Sequence, residues 1–418
     1  MPLALLGFAT VAVFITLIMT KRLSAVVALI AIPIVAGLIA GAGPNLGDMM
    51  LKGIVDVAPI AIMLAFAVFY FGLMMDAGLF DPLVSRILAL VGDDPVRIAL
   101  GTAAMTSLVS LDGDGTTTAL IVITALLPLY RAVGMNPLIL AFLLGACNAL
   151  LNFVPWGGPS ARAAAATKVD LVGEVFLPLL PAVLIALAAV FLLAWHFGRM
   201  ERRRLGWTQH AARETPLPAT LADRPERRPR LFWLNLALTA LLLVGMALGI
   251  APLPILIMGA FAVAMTINYP RLADQRARIA AHAENIVMVV VLIFAAGSFT
   301  GILAGTGMID AMARAMLAVV PPEMGPYLAP VVALFSMPLT FLMSNDAYYF
   351  GVVPVLAQAA GAFGIAPEVI ARASLMGQPV HTLSPLLAPI YLACGLLGVD
   401  VADAQRFSLK YAVLLSLV

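Results

Sequence analysis

Residues 110–118 read Ser110-Leu111-Asp112-Gly113-Asp114-Gly115-Thr116-Thr117-Thr118, an acidic, glycine-rich and hydroxyl-rich string set between two short apolar arms within residues 95–131. Its surroundings decide what it is, and they are apolar almost everywhere. Of the 418 residues, 63% are hydrophobic and 11% charged, and the mean hydropathy is +1.05. A soluble domain needs about a quarter of its residues charged to cover its surface; a bilayer-embedded chain does not. Apolar stretches fall at 2–20, 24–42, 55–76, 137–158, 176–197, 232–250, 253–269, 283–305, 367–395 and 404–418. At roughly 20 residues per crossing, that is enough for about ten spans. The chain therefore reads as an all-α, multi-pass integral membrane protein, and the string as carboxylates at bilayer depth, where charge is expensive and functional by default.

Each arm around 110–118 is too short, or too polar at one end, to be a secure crossing. A re-entrant helical hairpin fits better, entering and leaving by one face with a non-helical tip covered by protein or water. Residues 325–362 form a matching hairpin around Ser344-Asn345-Asp346-Ala347-Tyr348-Tyr349. Ahead of the hairpins, 79–91 and 308–320 read as amphipathic helices along the interface. The first apolar run lacks a basic start and a small-residue cleavage site, and is expected to be a retained helix. Cys147 and Cys394 lie inside apolar segments and suggest neither a disulfide framework nor a metal cluster.

The two hairpins belong to a repeat. At an offset of about 230 positions, Gly72, Gly78 and Asp81 meet Gly301, Gly307 and Asp310. Gly134 and Pro137 meet Gly364 and Pro367; Pro155 and Pro159 meet Pro385 and Pro389; Val169-Asp170 meets Val399-Asp400. The expected organisation is an N-terminal repeat, 1–198, a basic linker, 199–231, and a C-terminal repeat, 232–418. Each repeat holds five transmembrane helices and one re-entrant hairpin. An odd number of traversals makes the repeats inverted, the signature of secondary transporters with broken helices at the midplane. The linker carries nine arginines between Arg199 and Arg230, which places it in the cytoplasm of an inner-membrane protein by the positive-inside bias. No nucleotide-binding loop, nucleic-acid signal or enzyme motif is present, so the chain reads as a transporter and not an enzyme.

Chemistry concentrates at the hairpin tips and at two proline-broken helices, Asn152-Phe153-Val154-Pro155-Trp156-Gly157-Gly158-Pro159-Ser160 and His381-Thr382-Leu383-Ser384-Pro385. Proline frees a carbonyl from the helix ladder, half-helix amide ends attract anions, and Gly157 and Gly158 allow close backbone approach. Asp112, Asp114 and Thr116 offer an oxygen-rich set for a hard divalent cation. The two aspartates are equally suited to exchanging protons, and the bland reading is a polar surface loop capping the next helix. Asp346, with Ser344 and Asn345, is their counterpart. His381 reads as a ligand contact or proton carrier, or as a satisfied polar residue; Asn152 as a carboxylate donor or an interhelical hydrogen bond. Arg162 reads equally as a substrate-facing cation and as an interfacial anchor. Asp81, Asp310, Asp170 and Asp400 are expected to cap helices.

The strings Ser110 to Thr117, Asn152 to Pro159 and Ala161-Arg162-Ala163, with Ser344-Asn345-Asp346 and Ser384-Pro385-Leu386, resemble the citrate–metal:proton symporter family, CitMHS, over nearly the whole chain. The resemblance implies proton-driven uptake of citrate complexed to a divalent metal of the Mg or Ca type, the metal travelling as cargo with no permanently bound cofactor. It also implies a homodimer in the bilayer. On that reading, Asn152, Gly157, Gly158, Ser160, Ser344, Asn345, His381, Thr382 and Ser384 contact the substrate. Asp112, Asp114, Thr116 and Asp346 contact the metal, and Asp112, Asp114 and His381 serve proton coupling. A sodium-coupled di- or tricarboxylate transporter and a cation:proton antiporter are the competing readings.

Overall fold

The computed structural model describes residues 2–112, 115–207, 225–318 and 322–418; Asp114, the side chain of Asp112 and most of the linker lie outside the described residues. No strand occurs among them. The first half runs α1 (Leu3–Met19), α2 (Ala25–Ile39), α3 (Leu46–Asp76), α4 (Asp81–Val91), α5 (Pro95–Val109), α6 (Gly115–Val133), α7 (Pro137–Leu151) and α8 (Gly158–Thr167). It ends in a π-helical turn, Leu171–Phe176, that continues into α9 (Leu177–Leu205). The second half runs α10 (Phe232–Ala247), α11 (Leu253–Asn268), α12 (Leu272–Gly305), α13 (Met308–Leu317) and α14 (Leu328–Leu342). A π-helical turn, Ala347–Val352, then leads into α15 (Val353–Gly361), followed by α16 (Pro367–Leu375), α17 (Gln378–His381), α18 (Ala388–Leu397) and α19 (Val401–Leu417).

Among the described residues, six helical stretches are long and apolar enough to cross a membrane: Gly43–Asp76, Gly115–Val133, Leu171–Leu205, Pro229–Met246, Ile286–Gly305 and Glu323–Leu342. Gly115–Val133 and Glu323–Leu342 are arms of the two expected hairpins, so these arms have the length of a full crossing. The α-helices break off on the way to the tips, and in the second hairpin helix resumes at Asn345. Ser110–Asp112 is a 3-10 turn, and Met343 turns extended at φ −123° and ψ 157° before the π-helical turn begins. The proline breaks fall where the sequence puts them. α7 stops at Leu151 and α8 restarts at Gly158 with Pro159 in its first turn, while α17 stops at His381 and α18 restarts at Ala388 with Pro389 in its first turn. A proline in the first turn forfeits no helical hydrogen bond.

Two compact units emerge, and each draws on both halves of the chain. The first comprises Met1–Ala65, Pro155–Leu179 and Glu284–His381; the second comprises Phe66–Val154, Leu180–Ala283 and Thr382–Val418. The first unit holds the second hairpin and α8. The second unit holds the first hairpin, α7 and the stretch from Thr382 onward.

The first unit is locked by backbone contact between α3 and α12. A Cβ placed on Gly53 would collide with the Gly297 carbonyl oxygen, and one on Gly297 would lie 2.6 Å from the Gly53 carbonyl oxygen. In a membrane, where water drives no helix association, such close approach through small residues is what holds helices together.

Acidic caps and ion pairs fix the helix ends. Asp170 accepts from the Gly173 amide at 2.5 Å and Asp400 from the Ala402 amide at 2.7 Å, the capping role expected of both. Asp81 and Asp310 differ: they sit in the first turns of α4 and α13. Their carboxylates reach across the fold, Asp81 to Arg227 at 2.7 Å and Asp310 to the Gln358 amide at 2.9 Å. In the second unit, Asp94 caps α5 through the Val96 amide at 3.0 Å and also takes the Arg202 guanidinium at 2.7 Å. Burial pushes the Asp94 carboxyl up, but the hydrogen bond from Arg202, the cap and the charges of Arg202 and Arg97 outweigh it and hold the carboxyl below its ordinary value. A carboxylate depressed on folding stabilises the protein above its unfolded pKa, and that contribution is lost as pH falls through the depressed value. Asp94→Ala is therefore expected to lower stability by about 1–2 kcal/mol at neutral pH. In thermal unfolding of the detergent-purified protein, its deficit should shrink in strong acid.

Candidate functional site

In the second unit, polar groups gather at the tip of the first hairpin around Asn148 on α7. Its side-chain amide donates to Ser110 Oγ at 3.3 Å, and its Oδ1 accepts from Asn152 Nδ2 at 3.1 Å. Gly115, the first residue of α6, packs against the same amide: a Cβ there would lie 3.3 Å from Asn148 Oδ1. Asn148 thus ties the two sides of the tip to the end of the broken helix. Ser110 is fully buried. Thr116 is exposed, and Thr118 Oγ1 is buried with no hydrogen-bond partner among the described residues. After the second break, Thr382 lies beside Gly145, whose Cβ would sit 3.6 Å from Thr382 Oγ1. Buried Ser384 accepts from the Leu386 amide at 3.3 Å and turns the chain toward Pro385.

In the first unit, a denser cluster surrounds the tip of the second hairpin. Asp346 Oδ1 accepts from Arg162 Nε at 2.7 Å, and the two side chains retain 19% and 17% of their exposure. Gln378 is 2% exposed and donates both to Asn345 Oδ1 at 3.1 Å and to Tyr349 Oη at 2.9 Å. Tyr349 donates its own hydroxyl hydrogen bond to the Ser374 carbonyl at 3.4 Å. Ser344 Oγ accepts from the Ala347 amide at 3.2 Å and starts the π-helical turn. Such turns recur at functional sites because they displace side chains from regular register.

His381, 2% exposed, holds a 2.5 Å contact from Nδ1 to the Thr340 carbonyl. A carbonyl only accepts, so Nδ1 carries a proton, and in the neutral ring Nε2 presents a lone pair. Nε2 is buried and has no hydrogen-bond partner among the described residues; Tyr348 Oη is in the same position. Natively buried polar atoms are nearly always paired, so each of these two calls for a water, an ion or a ligand as its partner.

The residues expected at the site thus fall into two groups. Ser160, Ser344, Asn345, Asp346 and His381 belong to the first unit with Gly157 and Gly158; Asn152, Asp112, Thr116, Thr382 and Ser384 belong to the second. Asp114 lies outside the described residues. Gly158 has a specific neighbour: its Cβ would lie 2.8 Å from Arg162 Nη1, so the missing side chain makes room for the guanidinium. Among the described residues, no three His, Cys, Asp or Glu residues are grouped to hold a metal ion. Asn148 and Gln378 stand out by no motif of the sequence, yet each clamps a hairpin tip, and they lie 230 positions apart, the offset at which the sequence meets itself.

Apolar helices of spanning length, interrupted by buried polar clusters, mark a multi-pass membrane protein. The chain belongs to the citrate transporter family, CitMHS, whose profile matches residues 11–377. A Bacillus subtilis "Citrate transporter" is 51% identical over 413 residues, covering 98% of this chain and 96% of that protein. Bacillus subtilis "Mg(2+)/citrate complex secondary transporter" is 47% identical over 418 residues, covering 100% of this chain and 96% of its own length. Among solved structures, the Alcanivorax borkumensis YdaH transporter matches with a TM-score of 0.60 at 15% identity over 90% of this chain and 87% of its own. Neisseria gonorrhoeae MtrF matches with a TM-score of 0.58 at 15% identity over 91% and 83%. At that identity the likeness is one of fold.

Proposed function

We propose that this transporter carries citrate as its complex with a divalent cation of the Mg or Ca type, driven by protons, across the cytoplasmic membrane. The observation that carries this reading is the charge balance of the first unit's cluster. Its one guanidinium, Arg162, is already neutralised by Asp346 at 2.7 Å. A bare citrate trianion meets no net positive charge there, and its desolvation goes uncompensated. A metal–citrate complex carries a single net negative charge and presents a cation to a carboxylate. The metal arrives with ligands of its own, and Mg-type ions in transit need only one or two protein carboxylates. The 47% identity to a relative named for the Mg(2+)/citrate complex points the same way.

Within this reading, Asp346 meets the metal, and Ser160, Asn345 and Ser344 line the cluster on the first unit. On the second unit, Asp112, Asp114 and Thr116 supply cation-binding oxygens, while Asn152, Thr382 and Ser384 supply polar contacts. The unpartnered Nε2 of His381 supports proton rather than sodium coupling. The halves are read as inverted repeats, with the linker 199–231 in the cytoplasm.

Uptake of radiolabelled citrate into proteoliposomes tests this directly. Citrate should enter with Mg²⁺ or Ca²⁺ outside, stop when a chelator removes all divalent metal, and accelerate when the lumen is made alkaline. Uptake that persists after chelation, or that follows a sodium gradient and ignores pH, would overturn the reading.

A further inference from the structure

We infer that Arg162 and Asp346 together form a mixed-charge subsite: the outer edge of the guanidinium receives a substrate carboxylate while Asp346 receives the metal that the same substrate carries. The inference rests on the metal–citrate reading above and names the atoms that would recognise it. Arg162 sits in the second turn of α8, just past the Pro155 break, and Asp346 sits at the tip of the second hairpin, so both end on interrupted backbone of one unit.

The ion pair closes through Nε alone. An arginine has two carboxylate-binding edges, and this geometry leaves the Nη1–Nη2 edge outside the pair with Asp346. That edge is the fork suited to bidentate carboxylate binding. Nη1 lies against Gly158, where a Cβ would stand 2.8 Å from it and displace the guanidinium. Both charged side chains keep just under a fifth of their surface exposed, enough for a small ligand to reach. The residue before the aspartate is also anchored. Gln378, 2% exposed, clamps neighbouring Asn345 at 3.1 Å and is itself braced by Tyr349. An ion pair in such surroundings adds little stability, since apolar residues of similar volume commonly do as well or better; a ligand that is itself an ion pair gives it a role that stability does not.

Charge matching then sets specificity. One positive and one negative group fit a substrate that displays a free carboxylate beside a bound metal. Free citrate satisfies the arginine and repels the aspartate, and free metal does the reverse.

The test measures Mg–citrate binding to purified full-length protein by calorimetry, with proteoliposome uptake in parallel, for wild type, Arg162→Lys, Arg162→Gln, Asp346→Asn and the double variant Arg162→Gln/Asp346→Asn. Arg162→Gln is expected to weaken Mg–citrate binding roughly 100-fold and Arg162→Lys roughly 10-fold, the scale of losing a charged bidentate contact. Asp346→Asn should abolish the preference for Mg–citrate over free citrate. The double variant leaves no unpaired charge and should fold, yet bind as weakly as Arg162→Gln. Wild-type binding by the double variant, or by Arg162→Gln, overturns the subsite and leaves the metal–citrate function standing. A wild-type protein that binds and transports no metal–citrate complex overturns the function itself and the subsite with it.

Discussion

Valine in place of Gly297 is expected to leave almost no folded transporter in the membrane. Gly297, Gly301 and Gly305 are spaced by four on α12 and so share one helix face. Against that face runs α3. A Cβ on Gly297 would stand 2.6 Å from the Gly53 carbonyl oxygen and 2.7 Å from Val57 Cγ2. A Cβ on Gly301 would press on the Met49 carbonyl oxygen and lie 3.0 Å from Gly53 Cα. These obstacles are largely backbone, which no rotamer change relieves, so the helices themselves must separate. Overpacking with side-chain obstacles alone costs about 1–3 kcal/mol; a backbone collision at the crossing of two long helices should cost more. Gly305 provides the internal contrast, because the nearest atoms its Cβ would meet belong to the Met49 side chain, at 2.5 Å from Cγ and 2.8 Å from Sδ, and methionine can move. Gly259, whose Cβ would meet nothing within 4 Å, is the neutral control. The expected ranking of yield and melting temperature, read by fluorescence-detected size-exclusion chromatography, is Gly259→Ala near wild type, Gly305→Ala lower, Gly297→Ala lower still and Gly297→Val unfolded. If Gly297→Ala melted with Gly259→Ala, the crossing would not be the lock described.

Much of this was legible in the sequence, for identifiable reasons. Spanning helices, polar hairpin tips and proline breaks leave signals along the chain, because hydropathy, Pro155, Pro159, Pro385 and Pro389 act locally. The roles that stay hidden depend on partners far away in sequence. Arg162 reads equally as a ligand and as an anchor because its partner, Asp346, lies 184 positions on. Gly158 suggests approach by a ligand, when its nearest neighbour is the Arg162 guanidinium. Asn148 and Gln378 are masked by the apolar runs 137–158 and 367–395, where a single amide barely dents hydropathy. The repeat offset pairs them, and that signal points to both. The glycine spacing on α12 is likewise readable, but its partner Gly53 is fixed only by the three-dimensional crossing. The compact units escape a linear reading altogether, since each is assembled from segments of both halves.

His381→Asn is expected to fold normally, exchange citrate and yet lose its response to a pH gradient. The ring's Nδ1–H is committed to the Thr340 carbonyl at 2.5 Å, so the lone pair on Nε2 is the only site left for an incoming proton. Asparagine carries an amide donor near the Nδ1 position and nothing at the ε position. It can keep the bond to Thr340 while deleting the proton acceptor. Glutamine does the opposite: it reaches the ε position without the δ donor, leaving a buried carbonyl unmet at a cost of about 1–3 kcal/mol. The charged groups acting on the imidazole are Arg162 on α8 and Asp346 at the hairpin tip, while α14, which supplies Thr340, carries no charged side chain. A proton on Nε2 would therefore be repelled by the guanidinium and attracted by the carboxylate, and drawing the aspartate's charge toward a bound metal would change that balance. On the proposed function, occupancy of the substrate site and protonation of His381 would be coupled through this pair. In proteoliposomes, wild type should accumulate citrate when the lumen is alkaline and should also exchange internal for external citrate without a gradient. His381→Asn should retain exchange and lose accumulation. His381→Gln should melt earlier than either. Gradient-driven accumulation by His381→Asn at the wild-type rate would move proton coupling away from this histidine and onto the carboxylates of the first hairpin.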